Sequence, residues 1–214
     1  TAGGQSLSTG DVRGGAKNRV TVAASASSRT GESFERKWSQ VRGSRFPSPP
    51  AGDEVVSGNA SFVAAISSRG PTDFDMVKPD VAAPGTFILA PKASQFRLPP
   101  AAEFEDFEGQ YVFLHGTSMA APQVAGAAGI IRQYLREKLN ITRPSAALLK
   151  CLVIASARRL EPSPGFRELA SVGYPDFEQG YGRLDLSEIL PPDRDGAALV
   201  HAVDVPNDSP DALA

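Results

Sequence analysis

The 214-residue chain is 41% hydrophobic, enough for one sizeable core at the length of a single domain. Its 22 basic and 24 acidic residues are interspersed and sum to −2, which argues against a nucleic-acid-binding stripe and against an acidic solvated tail. No apolar stretch reaches the ~18–20 residues of a membrane span, and the 20 glycines and 18 prolines are aperiodic, as in a loop-rich globular chain.

Taken in chain order, Arg19–Ala24 is β-branched and apolar and predicts a buried strand. Residues 29–52 are rich in Arg, Ser and Pro and predict a surface excursion. Ala60–Ile66 is expected as a strand, Asp80–Ala82 as a short one, and Gly85–Leu89 as the next. Residues 91–110 are expected as an irregular loop, and Gln110–Leu114 as a strand leading into a Gly-Thr-Ser turn. From Ser118 to about Leu139, Ala120, Val124, Ala127, Ala128, Ile131, Tyr134 and Leu135 recur at helical spacing. A second helix is expected from a Thr142 cap, with Pro144 near its start, to about Ala157. Tyr181–Leu186 closes the series as an extended segment. Strands alternating with helices predict an α/β layered fold with parallel pairing.

The most informative stretch is Gly116-Thr117-Ser118-Met119-Ala120-Ala121-Pro122, at the start of the first long helix. Small residues clear space around one serine hydroxyl, and the helix N-terminus beneath it offers orphan N–H groups and a favourable dipole to an oxyanion. A Gly-Thr-Ser triplet also fits a plain helix cap. Pro122 is expected within the first turn, where its missing N–H is tolerated.

This stretch resembles the nucleophile motif of subtilisin-like serine proteases, and four further blocks resemble the same family in the same order. They are Arg19-Val20-Thr21-Val22-Ala23-Ala24-Ser25; Ile66-Ser67-Ser68-Arg69-Gly70-Pro71-Thr72 with Lys78-Pro79-Asp80-Val81-Ala82-Ala83-Pro84-Gly85-Thr86; Pro144-Ser145-Ala146-Ala147-Leu148-Leu149-Lys150; and Gln179-Gly180-Tyr181-Gly182-Arg183-Leu184. The pattern is similar to bacterial alkaline proteases that carry a C-terminal β-domain. The resemblance implies a three-layer α/β sandwich with a mainly parallel sheet, lacking its N-terminal portion, over residues 1–190. Residues 191–214 are then a linker and tail, possible first strand of a β-rich domain.

The resemblance further implies a secreted serine endopeptidase acting on polypeptides, with Ser118 as nucleophile. Thr117 and the Ala2-Gly3-Gly4 segment would belong to the oxyanion and substrate-binding wall. Two departures from the family stand out. Gly4 occupies the place of an oxyanion-hole asparagine, a loss that typically costs about 10²–10³ in kcat, a magnitude itself measured on a subtilisin. No Asp-Thr-Gly-like or His-Gly-Thr-like motif is present, so the triad Asp and His are expected from an upstream part of the catalytic domain. The two histidines, His115 and His201, do not match the position of the family's base, and His115 is expected to be hydrogen-bonded locally. The rival reading is a catalytically inactive subtilase-like scaffold or binding module. An α/β-hydrolase esterase is set aside because Ala120 stands where its motif needs glycine.

No cofactor is expected. The family often binds structural Ca²⁺, but Glu103, Glu105, Asp106 and Glu108 are interleaved with phenylalanines in a spacing that matches no known calcium loop. Asp80 is expected to be structural rather than the triad acid, and Cys151, the single cysteine, a buried small hydrophobe.

Overall fold

The computed structural model describes residues 17–72, 75–95, 105–107, 109–161 and 173–190. Ala2, Gly3, Gly4, His201 and the 191–214 tail lie outside the described residues. Strands β1 (Val22–Ser25), β2 (Val81–Pro84), β6 (Ala157–Arg158) and β7 (Arg183–Leu184) form one sheet in the order β1-β2-β7-β6. The β1–β2 and β2–β7 pairs are parallel, with Val22 opposite Val81 and Ala82 opposite Arg183, and only β6 runs antiparallel. A second, antiparallel sheet in the order β3-β5-β4 is made by β3 (Ile88–Pro91), β4 (Glu105–Phe107) and β5 (Tyr111–Leu114).

Three α-helices, α1 (Trp38–Val41), α2 (Thr117–Glu137) and α3 (Ala146–Ala155), and short 3-10 turns at Ala51–Asp53 and Leu186–Glu188 complete the described elements. Helix α2 lies on β1 and β2, and α3 packs against α2. The fold is α/β. The period-2 alternation of strands explains the two faces of the main sheet. Ala24, Val81 and Ala83 join Ala120, Val124, Ile131 and Leu135 of α2 in the main core, while Ala23 and Ala82 pack with Val63 and Leu160 on the other side.

The inward stripe of α2 follows the helical period: Ala120, Val124, Ala127, Ile131 and Leu135 are buried, and Ala128 and Tyr134 partly so. Its outward face, including Ala121, Ala125, Gly126, Gly129 and Ile130, is exposed.

Several expectations are corrected. Residues 60–66 form turns with one bridge, Val63 to Ser25, because this segment serves the outer edge of β1 rather than extending a ladder. There the Phe62 carbonyl accepts from the Ala26 N–H, and the Ala64 N–H donates to the Ala24 carbonyl. The region 91–110 contributes β4, whose backbone pairs with β5 despite its acidic composition. The 29–52 excursion carries Trp38, Val41 and Phe46 into the core, so its polar residues disguise an apolar anchor. Helix α3 is capped by Ser145, whose hydroxyl accepts from the Leu148 N–H at 3.1 Å, leaving Thr142 and Pro144 outside the helix. Cys151 is exposed, since α3 turns Leu152 and Val153 inward and leaves Ala147, Cys151 and Ala155, spaced by four, on the outer face.

Candidate active site

Ser118 is exposed at the second position of α2, while Thr117 before it and Ala120 after it are buried. Gly116 sets this arrangement. Its φ of 148° and ψ of 162° are a conformation that only glycine adopts without strain. The chain therefore turns sharply from β5 into the helix and leaves the serine outermost. Helix geometry gives the Ser118 N–H no acceptor four residues back, and the Met119 N–H closes onto the Gly116 carbonyl at 3.0 Å. The site is thus a serine hydroxyl above the positive end of a 21-residue helix.

Pro122 is the sixth helical residue, not part of the first turn as expected, because the helix begins at Thr117. Its missing N–H falls opposite the Ser118 carbonyl, so the ladder has a gap beneath the serine. Gln123 spans this region with its side-chain amide, donating to the Met119 carbonyl at 2.9 Å and to the Pro84 carbonyl at 2.7 Å.

The turn abuts the loop that leaves β2. A Cβ on Gly85 would meet Ala24 Cβ at 2.5 Å and the Gly116 carbonyl oxygen at 2.9 Å, so only glycine allows the two backbones this close. The Gly116 N–H donates to the Gly85 carbonyl at 2.7 Å. Ser118 therefore sits just beyond the C-terminal ends of the parallel strands, where open α/β sheets place their ligand sites.

His115 is buried, and its Nδ1 accepts from the Phe87 N–H at 3.1 Å, so its hydrogen bond goes to a partner 28 residues away and not to a local one as expected. Its ring meets Phe87 edge-on at 4.3 Å and Trp38 at 6.0 Å. Burial, reinforced by the Arg42 and Arg36 charges, lowers its pKa to about 3. A neutral imidazole whose acceptor nitrogen is occupied cannot take a proton from Ser118. Phe87 is itself fully buried, so it packs rather than borders a substrate.

Asp80 is held at both oxygens. Lys78 Nζ lies 2.6 Å and the Thr21 N–H 2.7 Å from Oδ2, while Lys150 Nζ is 3.0 Å from Oδ1. It ties β1, β2 and α3 together, as expected of a structural carboxylate. Desolvation lowers the Lys78 pKa, with Asp80 opposing. Sequence reasoning missed the buried Arg69–Glu178 pair, Nη2 to Oε1 at 2.8 Å, whose partners stand 109 residues apart and share no local pattern. Among the described residues no group of three or more His, Cys, Asp or Glu is placed to hold a metal ion.

The family model described as the subtilase family, peptidase S8, matches residues 1–182. The chain belongs to the subtilase family. Subtilisin-like protease SBT4.4 of Arabidopsis thaliana is 42% identical over 84 residues, covering 38% of this chain and 11% of that protein. Serine protease AprX of Bacillus subtilis is 36% identical over 81 residues, covering 38% of this chain and 18% of that protein. The solved CspB protease of Clostridium perfringens is 27% identical, with a TM-score of 0.42 over 59% of this chain and 23% of that one. The chain thus spans less than a fifth of the length of these two curated subtilase relatives.

Proposed function

We propose that this chain carries the nucleophile of a serine endopeptidase, with Ser118 attacking the carbonyl of a polypeptide substrate. The observation that carries this reading is the single exposed hydroxyl at the N-terminus of α2, set there by Gly116. The Ser118 backbone N–H receives the oxyanion of the tetrahedral intermediate, and the family resemblance assigns Thr117 and the Ala2-Gly3-Gly4 segment to the oxyanion and substrate-binding wall. A base withdraws the serine proton and returns it to the leaving amine, and an acid orients the base. His115 does not fit that role, and the family resemblance implies a base and an acid supplied by sequence upstream of these residues. Secretion is proposed on the resemblance alone.

The test is labelling with a fluorophosphonate probe of the full-length protein and of these 214 residues, with Ser118→Ala as control. Labelling of the full-length protein, lost in Ser118→Ala, is expected. Absence of labelling in both forms would overturn the reading in favour of an inactive scaffold.

A further inference from the structure

We propose that His115 is a positioning residue, its imidazole clamping the loop after β2 to the serine turn; the inference rests on the serine-protease reading above. The segment Pro84–Phe87 and the turn 115–123 meet through hydrogen bonds at both ends and in the middle. The Phe87 N–H donates to His115 Nδ1 at 3.1 Å, the Gly116 N–H donates to the Gly85 carbonyl at 2.7 Å, and the Gln123 amide donates to the Pro84 carbonyl at 2.7 Å.

The middle and far bonds join backbone or exposed groups. The His115 bond is different, because it is buried and because Phe87 is a bulky residue at a φ of 47°. A left-handed conformation is strained for a bulky non-glycine residue and persists only where its surroundings hold it. Two things hold Phe87. Its ring lies among Phe34, Phe113 and His115, at centroid distances of 5.0, 6.3 and 4.3 Å, and its N–H is received by the imidazole. The same imidazole precedes Gly116 directly in the chain. His115 thus connects a strained loop to the residue that aims the helix start, and the lie of Ser118 follows from that connection.

Only a neutral ring can serve, since protonated Nδ1 would present a second donor to the Phe87 N–H. The His115 environment keeps it neutral: burial among the aromatic rings excludes water, and Arg42 and Arg36 add positive charge.

Two variants separate the clamp from mere space-filling. His115→Leu keeps much of the volume and removes the acceptor. His115→Asn keeps an acceptor near the Nδ1 position and removes the ring. In the full-length protein, peptide hydrolysis by His115→Leu is expected to lose kcat about tenfold or more with KM within twofold, and His115→Asn to recover most of it. Equal kcat in His115→Leu and wild type would overturn the positioning role, and so would equal loss in both variants tracking their melting temperatures. Amide exchange at Phe87 gives a second readout that needs no activity, with exchange faster by about tenfold in His115→Leu only. Unchanged Phe87 exchange in His115→Leu would overturn the clamp itself. A wild-type protein without activity that still shows this exchange pattern would remove the protease reading and leave the clamp standing.

Discussion

The serine turn joins two regions built on opposite principles. On one side, α2 meets β1 and β2 through Ala120, Ala24 and Ala83, with Gly85 wedged against Ala24. On the other side, Phe34, Phe87, Phe113, Trp38 and His115 fill the space beside β3 and β5 with interlocked rings. The small side sets how near the helix lies to the sheet, because backbones approach as closely as methyl groups allow. The aromatic side sets the angle at which β5 enters the turn, because edge-to-face rings have few ways to pack. Small interfaces resist growth, and ring clusters resist loss.

That contrast can be broken in order of effect. Phe113→Ala removes the ring that packs against both Phe34 and Phe87 and is expected to lower stability by about 3–5 kcal/mol in urea unfolding; a loss below about 1 kcal/mol would mean that the rings are not tightly packed. Gly85→Ala adds one methyl group on the small side and is expected to cost about 1–3 kcal/mol, together with slower Ser118 labelling. If Gly85→Ala proved neutral, the approach of the serine turn to β1 would be looser than the geometry shows.

Acid sharpens the comparison on the aromatic side. The folded pKa of His115 lies near 3 and the unfolded value near 6.5, so between them the unfolded chain binds more protons. Stability contributed by the neutral ring is present above the unfolded value and is lost as pH falls towards 3. The wild type is expected to lose about 1.4 kcal/mol per pH unit more than His115→Asn across this window. Parallel curves for the two proteins would show that the ring titrates freely. The smallest effect is expected at Cys151→Ser on the exposed face of α3, within about 0.5 kcal/mol by thermal unfolding.

How much of this was legible in the sequence differs by region for the same reason. The inward stripe of α2 and strand β5 could be read directly, because period and burial coincide there. In α3 the apolar run covers all sides, and the stripe Ala147, Cys151, Ala155 is marked only by smaller size, a signal that hydrophobicity alone passes over. Trp38 and Phe46 were hidden by the arginines and prolines around them. The Ser118 motif stood out locally through Gly116 and Ala120. The Phe87–His115 hydrogen bond did not, since it joins residues 28 apart whose partnership depends on a strained loop.

The buried Arg69–Glu178 pair carries a consequence for the order of folding. Its two charges must travel 109 residues of chain before they meet, and β1 must find a partner whose register bonds lie 59 residues away. Such a topology cannot nucleate from neighbouring segments, so loop closure comes before its reward and assembly is slow. Until the turn carrying Glu178 and the β7 strand after it arrive, Arg69 keeps its water and the main sheet is incomplete. The period of greatest vulnerability for this protein is therefore its synthesis, when α2 has already been made and β7 has not.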